Sequence, residues 1–224
     1  MGGCTVFHYV FESSEVSSEA QENAHAIGGS TVFWVAKRVF DIVASLILLP
    51  FMLVFAVTLL VINPIWNRGP VFFLQQRMGK DCQPFTAFKF RTMDPIDAIQ
   101  RGHDDPIEQH RITKLGRLLR KARIDELPQI LNVLNGDMSL IGPRPDYFAH
   151  AETYLSTVPG YRERHVIRPG ISGFAQVHLG YVESADAARG KTSADLYYIR
   201  NAGFMLEAKI FLHTVYTVIM RAGI

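Results

Sequence analysis

Two neighbouring carboxylates, Asp125 and Glu126, open a short apolar segment with Pro128 in its first turn, where proline is tolerated. Read locally, Asp caps a helix and Glu favours its positive end. Read chemically, an Asp kept ionised by helix amides and nearby arginines can attack phosphorus and form an acyl phosphate. Downstream, Gly142-Pro143-Arg144-Pro145 brackets one arginine between two prolines. Such a pre-set guanidinium can grip phosphate oxygens at two points. Arg168-Pro169-Gly170 repeats the idea. No Walker-type loop or GxGxxG occurs, so side chains must cradle any phosphate. The eight His and two Cys are not at zinc spacing. A carboxylate-held Mg²⁺ beside a diphosphate suits the residue types better.

The elements that must position these groups start with a greasy one. Ile42 to Ile62 carries no charge. As a helix it would reach about 32 Å, the thickness of a bilayer's hydrocarbon. Lys37 and Arg38 precede it, and Arg68, Arg77 and Lys80 follow. Basic flanks on both sides favour a helix that enters and leaves by one face, broken at Pro50. Ser45 and Thr58 are placed to satisfy freed carbonyls. A kinked spanning helix is the rival.

Strands are expected at 70–79 and 84–93, with Lys89 and Arg91 on one face and Phe88 and Phe90 on the other. Residues 94–109 read as a loop. A basic amphipathic helix is expected over 112–124, of a kind that suits a membrane surface. Further helices are expected near 127–134, 146–157, 184–200 and 204–220, and extended chain at 171–178. Residues 1–36 hold four Glu and no Lys or Arg, which leaves the rest of the chain at +6 against an overall +2. A basic body suits an anionic partner. Two distant cysteines indicate no disulfide framework and a reducing compartment. The acidic start argues against a secretory signal peptide.

The motifs KRVFDI at 37–42, GPVFFLQQRMG, FKFRTM, IDELPQILNVLNGDMSLIGPRP, VIRPGISGFAQV and DLYYIRN occur in this order. Together they resemble the bacterial sugar transferase family, the monotopic polyprenol-phosphate phosphoglycosyl transferases, across 37–224. The polar, Ser/Glu-rich start reads as a mobile acidic tail (1–30). The resemblance implies an α+β, mostly helical fold: a re-entrant membrane helix (31–66) and a catalytic domain with interfacial helices and a short β-hairpin (67–224). It implies transfer of a sugar phosphate from a UDP-sugar to polyprenol phosphate, on the cytoplasmic face of a bacterial inner membrane, at the start of surface-glycan assembly.

It further implies that Asp125 is the nucleophile, Glu126 its partner in placing metal or phosphate, and Mg²⁺ the cofactor. Lys89, Arg91, Arg120, Arg144, Arg168 and Asp195 become substrate- or phosphate-binding residues. A homodimer is compatible; nucleic acid is not an expected partner, since the basic residues interleave with aliphatic ones. Two features depart from the family pattern. Leu53-Val54 stands where relatives often have Ser-Pro, and Gln176-Val177-His178-Leu179-Gly180 replaces QVNGR, with His178 or Tyr181 as candidate stand-ins for the missing arginine. A catalytically silent membrane scaffold and a membrane phosphohydrolase are the competing readings.

Overall fold

The computed structural model describes residues 27–67, 69–95, 108–179 and 185–219. The acidic tail up to residue 26, Arg68, most of the expected loop and Tyr181 lie outside these residues. Helix α1 (Thr31–Trp66) begins on Ser30, whose Oγ accepts from the Phe33 N–H at 3.1 Å. At 36 residues it is about 54 Å long, longer than a bilayer's hydrocarbon is thick. It is helical throughout, so Pro50 lies within one helix and the expected helix-break-helix does not form. Proline removes a single N–H, and the long aliphatic stretches on either side keep the remaining ladder intact. Thr58 donates to the Val54 carbonyl at 2.8 Å, whereas the buried Ser45 hydroxyl has no hydrogen-bond partner.

One stripe of α1 is buried: Phe33, Lys37, Asp41, Ser45, Met52, Ala56, Leu59 and Asn63. Steps of three, four or seven residues are those of a single helical face. Much of the remaining surface, from Val32 to Trp66, is exposed and apolar, and Arg38 beside the stripe donates to Val133 O at 2.9 Å. Both ends of the stripe are fastened by polar bonds. Near the start, Lys37 meets Glu207 at 2.9 Å and Asp41 accepts from Ser139 Oγ at 2.7 Å and Leu140 N at 3.1 Å. At the end, Asn67 Nδ2 donates to the Arg91 carbonyl at 2.8 Å.

Strands β1 (Phe72–Met78) and β2 (Pro84–Phe90) form the expected antiparallel hairpin, in register from Phe72↔Phe90 to Met78↔Pro84. The strand stops at Phe90, so Arg91 leaves the alternation that would have set it beside Lys89. Its guanidinium instead donates to the carbonyls of Asn67 and Pro70. A helix end leaves carbonyls without partners, and Arg91 supplies the donors.

Helix α2 (Lys114–Lys121), capped by Thr113, ends before the expected residue 124 because Arg123 takes a left-handed φ of 57°. A 3₁₀ turn over Ile124–Glu126 then leads into α3 (Gln129–Asn135). Buried Met52, Ala56 and Leu59 of α1 pack with Phe90, Leu115, Leu119 and Ile130, which seats the hairpin, α2 and α3 against the second half of α1.

Strand β3 (Ser139–Ile141) is followed by α4 (Phe148–Thr157). Next come β4 (Gly170–Ser172), α5 (Phe174–Leu179), α6 (Ala185–Arg200) and α7 (Phe204–Ile219). The stretch 171–178 is therefore mostly helical, not extended. β4 pairs in parallel with β3, Ser139 opposite Gly170, a contact between segments distant in sequence. A Cβ on Gly170 would fall 2.1 Å from Gly142 N, so the Gly142-Pro and Pro-Gly170 motifs meet backbone to backbone.

Candidate active site

Asp125 and Glu126 are both buried, in the 3₁₀ turn rather than at a helix cap. Cations from four elements gather on Glu126 and its neighbour. Lys89 of β2 donates to Glu126 Oε1 at 3.0 Å. Arg144, after β3, clasps the same carboxylate with two nitrogens, Nη2 to Oε1 and Nη1 to Oε2 at 3.3 Å. Arg123 Nη1 lies 3.6 Å from Oε2. Burial alone would raise the Glu126 carboxyl, but Arg144 and Lys89 outweigh it and hold it well below the ordinary carboxylate range. Burial depresses Lys89 to about 8 against the pull of Glu126.

Asp125 is held differently. Its Oδ1 is buried without a hydrogen-bond partner. Burial and the Glu126 charge push its carboxyl above the ordinary value, and Lys89, Arg120 and Arg144 only partly oppose them. Arg120 of α2 is set by a 2.9 Å bond from Nε to Thr92 Oγ1. Asn132 of α3 donates to the Thr86 carbonyl at 2.7 Å and accepts from Phe88 N at 3.0 Å, which docks the Lys89 strand on the helix that follows the dyad.

The segment that carries Arg144 has no regular structure, yet it is pinned residue by residue. Gly142 N donates to Ser172 O and Gly170 N to Pro143 O, each at 2.9 Å. Arg164 donates to the Arg144 carbonyl at 2.8 Å, Arg77 to Pro145 O, and Met78 N to Asp146 O at 3.1 Å.

Of the expected site residues, the fold thus gathers Asp125, Glu126, Lys89, Arg120 and Arg144. It does not bring in the other three. Arg91 ties the end of α1 to the hairpin. Arg168 is exposed and donates to Gly136 O at 2.8 Å, at the end of α3 away from the dyad. Asp195 is 1% exposed and paired with Arg164. His178 stacks on Phe174 at 3.9 Å. Arg123, Asn132, Asp146 and Arg164 were not foreseen. Buried polar residues inside otherwise apolar runs were the available signal for Asn132, while only the tertiary fold reveals Arg164.

The pattern of the family described as "Bacterial sugar transferase" matches residues 32–221. The chain belongs to this family. Among curated proteins, this sugar transferase is 40% identical over 194 residues to the UDP-N-acetylgalactosamine-undecaprenyl-phosphate N-acetylgalactosaminephosphotransferase of Aeromonas hydrophila, a match covering 87% of the chain and 46% of that protein. It is 41% identical over 191 residues to the UDP-glucose:undecaprenyl-phosphate glucose-1-phosphate transferase of Caulobacter vibrioides, covering 80% and 68%. It is 38% identical over 201 residues to the exopolysaccharide production protein PSS of Rhizobium leguminosarum bv. phaseoli, covering 84% and 96%. The sugar transferase therefore spans about half of the first relative and nearly all of the last.

Among the described residues no group of three or more acidic, His or Cys side chains is gathered in metal-holding fashion. A Mg²⁺ ion needs only one or two carboxylates when substrate phosphates supply the rest. The bare Oδ1 of Asp125 fits that requirement. Glu126 does not, since both its oxygens face cations.

Proposed function

We propose that this sugar transferase moves a sugar 1-phosphate from a UDP-sugar to undecaprenyl phosphate, releasing UMP, at the start of exopolysaccharide or other surface-glycan assembly. The observation that carries the reading is a buried aspartate with an unpartnered oxygen, next to a glutamate that keeps Lys89, Arg144 and Arg123 assembled. In this reading an Asp125 oxygen attacks the sugar-bearing phosphorus. The bond from that phosphorus to the oxygen bridging it to UMP breaks, and UMP leaves with the electron pair. A phosphate oxygen of the polyprenol phosphate then attacks the same phosphorus, and the Asp125 carboxylate is released unchanged. Lys89, Arg120 and Arg144 stabilise the charge that spreads over the phosphoryl oxygens. Glu126 holds the cations in place before substrate arrives, so no reorganisation is required when it does. Mg²⁺ held by Asp125 and the donor diphosphate would neutralise charge on the leaving phosphate.

The membrane part belongs to the same proposal. Both ends of α1 bond to the same catalytic domain, through Lys37 and Asp41 at one end and Asn67 at the other. A helix so fastened at both ends, and unbroken at Pro50, supports a course that enters and leaves by the cytoplasmic face through a bend at that proline rather than a break. Its exposed apolar surface would lie in lipid, where the acceptor's tail resides.

The test is UMP release by reconstituted protein from a panel of UDP-sugars with undecaprenyl phosphate and Mg²⁺. Lipid-dependent release from one donor, lost in Asp125→Asn, is expected and identifies the sugar. Release of free sugar phosphate without lipid would instead mark a hydrolase. Silence of folded protein across the panel, with normal glycan in cells carrying Asp125→Ala, would mark a scaffold.

A further inference from the structure

Arg164 touches neither carboxylate of the dyad, yet it is among the most deeply placed charges in the chain, at 3% exposure. Its guanidinium reaches three acceptors. Nε donates to Asp195 Oδ2 at 2.9 Å with Nη2 2.6 Å from the same oxygen, Nη1 donates to Asp146 Oδ2, and Nη2 donates to the Arg144 carbonyl at 2.8 Å. The Tyr161 ring lies 5.0 Å from the guanidinium carbon, and its hydroxyl donates to Asp146 Oδ2 at 2.8 Å. Burying an arginine between two carboxylates carries a desolvation cost that apolar packing would avoid. What this arrangement adds is a fixed place for the main chain of Arg144 and Asp146.

We infer that Arg164 is a positioning residue for the transfer reaction: Asp146 and Asp195 hold it, and it holds the Arg144 backbone so that the Arg144 side chain meets Glu126 and the donor diphosphate. This rests on the functional reading above. Asp195, enclosed at 1% exposure, acts through Arg164, the side chain it accepts from. A misplacement of a reacting or clamping group by about 1 Å costs on the order of a hundredfold in rate, so a main-chain anchor behind Arg144 has a measurable effect.

Asp195 uses Oδ2 for both contacts with Arg164, and its Oδ1 is buried without a partner. Asp195→Asn can therefore set its carbonyl at the Oδ2 position and keep both contacts. Arg164→Lys keeps the buried charge but cannot reach all three acceptors from one ammonium. The experiment measures kcat and KM, per folded protein from thermal melts, for Arg164→Lys, Arg144→Ala, their double variant and Asp195→Asn. Calorimetric binding of inorganic diphosphate to the same proteins accompanies it. Arg164→Lys is expected to lower kcat by roughly tenfold to a hundredfold. The double variant should be no worse than Arg144→Ala alone, within about threefold. Asp195→Asn should stay within about threefold of the parent enzyme.

Multiplying losses in the double variant, or an Asp195→Asn protein as inactive as Asp125→Asn, would overturn the inference. If the parent protein turns over no donor, the functional reading fails. Diphosphate binding then decides the positioning claim: weakening by Arg164→Lys only where Arg144 is present upholds it, and equal weakening in both backgrounds overturns it.

Discussion

Lys89 is depressed to about 8 by burial, and Asp125 is raised by burial and by the Glu126 charge; these two perturbations set the pH behaviour of the site. A lysine with a lowered value is charged below about 8 and loses its cation above it. kcat/KM is therefore expected to fall as pH rises through about 8, and Lys89→Arg should carry the rate to higher pH. Initial rates across a pH series would check both. For Asp125 the sign runs the other way. A carboxyl raised in the folded state favours folding while protonated and loses that contribution as pH rises through its folded value. Asp125→Asn, neutral throughout, should melt higher than the parent at pH 7, with the gap closing towards pH 4. Thermal melts at the two values would show it. That Asp125, Glu126 and Arg144 belong to one site was readable from the ordered motifs that carry the family resemblance, since the two acids taken alone read as a helix cap. That Glu126 would take up the cations while Asp125 Oδ1 is left without a partner was not, since Lys89 and Arg144 come to the turn from segments distant in sequence.

At the scale of elements, the hairpin and most helices follow their hydrophobic periodicity, with end-points shifted where a residue takes up unexpected backbone. Arg91 shows where the period failed. Two-residue alternation assigned it to the face of Lys89, but the strand ends one residue earlier and the end of α1 recruits its guanidinium. Arg91→Lys should then cost about 1–3 kcal/mol of stability, because buried carbonyls lose their donors. The KM for the sugar donor should hold, in contrast to what a phosphate-gripping arginine would give. Denaturant melts and donor titrations on one preparation would separate the two roles. The parallel pairing of β3 with β4 was hidden for a different reason. Three-residue strands have no readable alternation, and the pairing depends on close approach of Gly142 and Gly170.

At the scale of the whole molecule, a single long helix carries an apolar surface on most of its circumference and a buried stripe fastened at both ends. Its apolar length was plain from the uncharged run. Its continuity through Pro50 was not, because one missing N–H does not decide whether a helix bends or breaks. With both ends bonded to one domain, Val32→Cys and Ile65→Cys, each in a chain with Cys4 and Cys82 replaced by Ala, should react with an impermeant thiol reagent from the same side of sealed vesicles. Labelling from opposite sides would contradict the re-entrant course.

In the proposed reaction Asp125 carries the phosphosugar between the two half-steps. The most direct measurement is the intact mass of the protein after brief exposure to its UDP-sugar with Mg²⁺ and no lipid acceptor. A mass increase of one phosphosugar is expected, located on Asp125, discharged on addition of undecaprenyl phosphate and absent from Asp125→Asn. Lipid-dependent UMP release with no adduct at any time, or undiminished turnover by Asp125→Asn, would contradict it.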